Sequence, residues 1–141
     1  MRVTRPAAKA AQICAVALAM AGALTWADTA MAEPVEGMWQ TQPGDDGSYG
    51  HVRIYTCGAA ICGVLERAYD SSGASVDSDT VGKRMIWDMV PEGDGAYGGG
   101  RIWAPDRDKV YRSKMKLNGN RLSVSGCVGP ICRGQDWTRV N

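Results

Sequence analysis

Two cysteine pairs of equal spacing, each set between runs that alternate like strands, constrain this chain more than any other feature. Cys57 and Cys62 bracket Gly58-Ala59-Ala60-Ile61, and Cys127 and Cys132 bracket Val128-Gly129-Pro130-Ile131. A four-residue gap between two extended runs predicts a hairpin tip closed by a disulfide. Redox chemistry favours Cys-x-x-Cys, and a tetrathiolate zinc site favours other spacings. Four cysteines permit three connectivities. The hairpin reading selects the local pairs Cys57–Cys62 and Cys127–Cys132.

Disulfides persist in oxidising compartments, and the N-terminus is consistent with export. Arg2, Arg5 and Lys9 precede an apolar run from Ile13 to Leu24, and Ala30-Met31-Ala32 has the small residues of a cleavage site. We expect residues 1–32 to be a cleaved signal peptide, removing Cys14 and Trp26, and residues 33–141 to form a single β-barrel domain. The basic start and Ala-rich run point to a bacterial periplasmic or secreted protein. No later apolar stretch has the ~18 residues that suggest a membrane span. From residue 33 onward, 13 Lys and Arg stand against 14 Asp and Glu, a net charge of −1. Near-zero charge argues against a nucleic-acid surface held by phosphate contacts. The Arg101–Arg121 stretch is more basic, with charges alternating as on the solvent face of strands.

Short alternating runs recur at 37–42, 51–57, 62–68, 83–90, 99–104, 109–117, 120–127 and 132–140, separated by Gly, Pro, Asp and Asn. This pattern predicts an all-β fold: an eight-stranded antiparallel barrel or sandwich with two disulfide-closed hairpins. With Cys57 opposite Cys62, Tyr55 faces Val64, Arg53 faces Glu66 and Ile54 meets Leu65. With Cys127 opposite Cys132, Leu122 meets Trp137. Asn118-Gly119 is a strong two-residue turn signal, placing Met115 against Leu122 and Ser113 against Val124. One inward face then carries Tyr111, Met115, Leu117, Leu122, Val124 and Trp137, with Arg112, Lys114 and Lys116 outside. Arg133, Gln135, Trp137 and Arg139 fall inward on the last strand. Inward polar groups require hydrogen bonds or a cavity.

Gly37-Met38-Trp39 opens the first strand, and Trp137-Thr138-Arg139 ends the last. This resembles the calycin pattern of lipocalins and related barrels. The resemblance implies that Arg139 packs over Trp39, a cation–π contact that closes the barrel floor. A longer resemblance rests on Gly37-x-Trp39, the Cys57-Gly58 to Cys62-Gly63 hairpin, Gly99 to Pro105 with Tyr111 following, and Gly126-Cys127 to Cys132-x-x-Gln135-x-Trp137-x-Arg139. These segments resemble the small exported bacterial family called domain of unknown function 2147. The family's Asp- and Asn-rich loop is only partly kept here, by Asp70, Asp77, Asp79, Gly82 and Lys83. The resemblance implies a calycin-like barrel and no established activity.

No set of residues reads as catalytic, and we expect a non-enzymatic protein. His51, the single histidine, opens a strand, where a surface imidazole is the simpler reading. Asp70, Asp77 and Asp79 lack EF-hand spacing, and turn chemistry explains them, so no metal is assigned. Gly98-Gly99-Gly100 lacks the Lys-Ser/Thr ending of a phosphate loop and suits strand bending. No cofactor is implied.

Trp87, Trp103, Tyr111, Ser113 and Gln135 are the ligand-binding candidates. They are expected to border a cavity at the barrel mouth, near the disulfide tips, and to hold a small, largely apolar ligand. A small eight-stranded barrel has room for side chains or for one small ligand. An interior filled by side chains would favour the alternative, an interaction protein such as an inhibitor of an envelope or secreted enzyme.

Overall fold

Alternating apolar positions and glycine turns give the computed structural model nine strands within residues 31–141, the residues it describes. The expected signal segment lies outside them, apart from Met31 and Ala32. The strands are β1 (Gly37–Gln40), β2 (Tyr49–Cys57), β3 (Ala60–Tyr69), β4 (Ser75–Val76), β5 (Arg84–Gly93), β6 (Ala96–Ala104), β7 (Lys109–Asn118), β8 (Arg121–Val128) and β9 (Ile131–Val140). Eight of them form a closed antiparallel barrel in the order β1-β2-β3-β5-β6-β7-β8-β9, with β9 returning to β1. β4 is a two-residue addition to the end of β3. Among the described residues every strand pairing lies between Gly37 and Val140.

The interior is packed. Trp39, Val52, Ile86, Met89, Leu122 and Trp137 are fully buried at its centre. These side chains come from the inward positions of β1, β2, β5, β8 and β9, as strand alternation requires. Complete burial of large apolar groups is the main stabilising term of such a domain.

Both disulfides form, Cys57–Cys62 and Cys127–Cys132. The register around them corrects two expectations. Cys127 is directly opposite Cys132 and Leu122 is opposite Trp137. In the first hairpin, however, Cys57 pairs with Ala60, Tyr55 with Cys62, Arg53 with Val64, Ile54 with Gly63 and Val52 with Leu65. The Cys57–Cys62 bond is therefore diagonal, and the Arg53–Glu66 ion pair forms diagonally as well. Likewise Met115 pairs with Val124, Ser113 with Gly126 and Leu117 with Leu122.

The reason is glycine. A two-residue hairpin turn of the II′ kind needs positive φ at its first central residue. Gly58 (φ 66°) and Gly119 (φ 60°) take that position, so the loops are Gly58-Ala59 and Gly119-Asn120. Each slip is by two residues. An even slip leaves every side chain on its face, which is why the inward set on β7 and β8 is unchanged.

Because successive strands alternate in direction, the two disulfide tips lie at opposite ends of the barrel. Cys57–Cys62 sits at the end where β1 begins. Cys127–Cys132 sits at the end where β1 finishes, with the loops 41–48, 70–83 and 105–108. A cavity near both tips is thus excluded by topology.

Candidate functional site

One end of the barrel is sealed by the segment just before β1. Val35 is fully buried, and its carbonyl accepts the Trp39 indole N–H at 2.8 Å. The Arg139 guanidinium lies 4.3 Å from the Trp39 ring centroid. It also donates to the carbonyls of Glu36 (2.9 Å) and Pro34 (2.8 Å). Tyr97 donates its hydroxyl to Glu33 at 3.3 Å. Burial first, and then the Glu33 charge, raise the Tyr97 phenol above its ordinary pKa. This floor was legible at Trp39 and Arg139. The part played by residues 33–36 was not, because an irregular segment carries no periodic signal.

The opposite end differs. Sheet partners share a face, and β8 and β9 continue past the rim with their inward positions occupied by Val128 and Ile131, which pair with each other. Both are exposed, at 66% and 69%. Tyr111, inward on β7, is half-buried beside them and packs against the core. Sequence reading passed over Ile131, although it shares the parity of Gln135 and Trp137 along β9.

The five candidate residues divide. Tyr111, Ser113 and Gln135 occupy inward positions in the half of the barrel below this rim. Trp87 and Trp103 do not line the interior as expected: strand register pairs Trp87 with exposed Arg101 and Trp103 with exposed Val110. Both start from the outer face. The Arg84 guanidinium lies 5.0 Å from the Trp87 ring, and the Lys83 ammonium 5.3 Å from the Trp103 ring. Trp103 stands at the rim, where it reaches the edge of the core and donates its N–H to Asp108 at 2.9 Å. The expectation assumed that aromatics face inward; instead one register shift between Arg84 and Ile86 turns Met85 into the core, and a second between Ile86 and Met89 leaves Trp87 outside.

The inward polar groups have partners within the fold. Ser113 donates to the Ser125 carbonyl at 2.7 Å, and Gln135 accepts the N–H of fully buried Trp137 at 2.9 Å. Gln135→Leu removes that acceptor. It is expected to lower stability by about 1 kcal/mol, the lower end of the penalty for an unpaired polar group, since Gln135 is only half-buried. Urea denaturation of the variant checks this.

His51 lies on the outer face of β2. Its Nε2 donates to Gln40 Oε1 at 3.3 Å, and Tyr69 donates its hydroxyl to Nδ1 at 3.4 Å. Tyr69 in turn stacks on Tyr49 with ring centroids 5.0 Å apart. Desolvation, and then the Arg67 charge, hold the imidazole below its ordinary pKa. A base whose folded pKa is depressed binds more protons when unfolded. Its stabilising contribution is therefore complete above about pH 6.5 and is lost as pH falls towards the folded value. Stability should decline over that window, and His51→Gln should flatten the decline in a pH series of melting temperatures.

Away from the barrel axis, a groove of about 590 Å³ runs between the end of β3 and the 75–81 segment, lined by Glu66, Arg67, Val76, Asp77, Asp79 and Val81 among others. Its neighbour Asp70 accepts from the backbone N–H of Ser72 and Ala74 and from the Ser72 hydroxyl. The Ser72 hydroxyl is the first cause of the lowered Asp70 pKa. These bonds are turn chemistry. Among the described residues no cluster of three His, Cys, Asp or Glu could hold a metal ion.

Residues 37–139 match the family model described as an uncharacterized protein conserved in bacteria, DUF2147. The solved protein HP1028 of the human pathogen Helicobacter pylori, described as belonging to the lipocalin family, is similar at 17% identity and a TM-score of 0.58. The match covers 75% of this chain and 82% of that one. At that identity the likeness shows the shared barrel fold. No curated protein matches the chain.

Proposed function

We propose that this chain, which belongs to the bacterial family DUF2147, binds a small, largely apolar ligand at the open end of its lipocalin-like barrel. The observation that carries this reading is the pair Val128 and Ile131. They face the barrel axis, yet they are exposed at 66% and 69%, whereas the inward residues at the other end are sealed. Exposed apolar groups above a rim are surface that a ligand can cover with gain. Tyr111 borders the seat, Ser113 and Gln135 lie beneath it, and Trp103 stands at its edge. The packed centre makes the seat a shallow one over the core. Trp87, on the outer face, has no part in it.

The protein acts without catalysis in this reading, after export and removal of residues 1–32. Its two disulfides are consistent with an oxidising space such as the periplasm. The packed interior rules out the internal cavity expected from the sequence and favours a second reading, an interaction protein such as an inhibitor of an envelope or secreted enzyme, which needs no cavity; the ligand reading rests on the rim alone.

Native mass spectrometry of protein purified from its own host separates the two. A retained small molecule supports ligand binding, and a co-purified protein supports the second reading. A ligand at the rim should also quench tryptophan emission and raise the melting temperature with the logarithm of its concentration. Ile131→Asp should abolish both responses while leaving the unliganded melting temperature unchanged. If the responses survive that substitution, the seat lies elsewhere.

A further inference from the structure

The net charge of −1 conceals a strong separation. Residues 33–82 carry two Lys and Arg against eight Asp and Glu, while residues 83–141 carry eleven against six. The barrel turns this sequence asymmetry into a spatial one, because β5 to β9 are consecutive neighbours. Arg84, Arg101, Lys109 and Arg112 lie in the half of β5 to β7 nearest the open end, Lys83 immediately precedes β5, and all five are exposed. Among the described residues none of the five makes a salt bridge. Asp106 engages Arg107, and Asp108 accepts the Trp103 N–H.

An exposed apolar corner adjoins these cations. Val110 is 52% exposed on the outer face of β7. Next to it is the β8–β9 tip carrying Val128 and Ile131, braced at its base by Cys127–Cys132. Arg112 donates to the Gly129 carbonyl and ties the tip to the basic face.

The geometry points to an anionic membrane surface as the partner of this corner. Unpaired cations near a bilayer are attracted by acidic headgroups. A rigid apolar protrusion beside them can enter the headgroup boundary. Half-buried Trp87 and Trp103, each beneath a cation, suit the same interface, where amphipathic rings settle. A nucleic acid or an acidic glycan would use the cations but leave the apolar tip unexplained. The tip is shared with the proposed ligand seat, so a ligand and a membrane would compete for Val128 and Ile131, whereas Arg101 and Arg112 belong to the membrane contact alone.

The probes are vesicles of phosphatidylcholine alone and of phosphatidylcholine mixed with phosphatidylglycerol, sedimented with residues 33–141. Binding is expected to the mixed vesicles only, and it should weaken as sodium chloride rises. Arg101→Gln and Arg112→Gln should each weaken it about fivefold, and together roughly 30-fold. Val128→Ser with Ile131→Ser should weaken it roughly tenfold, from the apolar surface no longer inserted. Arg53→Gln, on β2 across the barrel, should leave it unchanged. Melting temperatures show that each variant folds. Equal binding to pure phosphatidylcholine, or an equal loss in the Arg53 variant, overturns the proposal. So does binding to soluble polyphosphate that matches vesicle binding and is unaffected by the tip substitutions.

Discussion

Trp39→Ala is expected to lower stability by about 3–5 kcal/mol, the range for deleting a buried aromatic side chain. That is a large part of the ~5–15 kcal/mol by which a domain is stable. Trp39 is fully buried between Val52 of β2 and Arg139 of β9. Its loss removes the acceptor interaction at Val35 and the ring beneath the Arg139 guanidinium. Trp137→Ala, at an equally buried site, should be comparable. Arg139→Ala should have a smaller effect, acting on the same contact and on the carbonyls of Pro34 and Glu36. The Trp39–Arg139 double variant should therefore lose less than the sum of the two. A urea denaturation cycle reads this directly, and strictly additive losses would show that the contact contributes nothing.

Gly100→Ala should destabilise towards the upper end of the about 1–3 kcal/mol usual for overpacking. A methyl group there would lie 2.6 Å from the Met89 sulfur and 2.8 Å from the Trp87 carbonyl oxygen. Met89 is fully buried, and the carbonyl belongs to the adjoining strand, so neither can move freely. Gly98→Ala is the matched comparison. Its added methyl would meet the carboxylate end of Glu92, an exposed and flexible side chain, which can swing into solvent. Gly98→Ala should thus melt close to the parent, and Gly100→Ala well below it. Equal melting temperatures would show that the strand at Gly100 yields without cost.

The eight barrel strands were legible because each carries its own alternation between turn residues, and because β-propensity and burial agree along it. β4 was not, since a two-residue strand has no period to read. Hairpin register was readable in principle. Aligning cysteine with cysteine gave the right answer at Cys127–Cys132 and an offset of two at Cys57–Cys62, whereas placing glycine first in the turn accounts for both Gly58 and Gly119. The inward face survived the offset because strand parity has a period of two.

Alternation and turn residues by themselves determined the eight strands and the local pairing of the cysteines, since each depends on neighbours in sequence, and the resemblance to the calycin pattern implied the meeting of Trp39 with Arg139. Tertiary structure alone decided which way the remaining aromatics point and where the charge collects. Register shifts in β5 on either side of Ile86 bring Met85 inward and leave Trp87 outward. The floor made by residues 33–36, the exposed Val128 and Ile131, and the gathering of unpaired cations on β5 to β7 all depend on contacts or separations across the barrel. Those distances are fixed when the sheet closes on itself, and no local stretch of sequence encodes them.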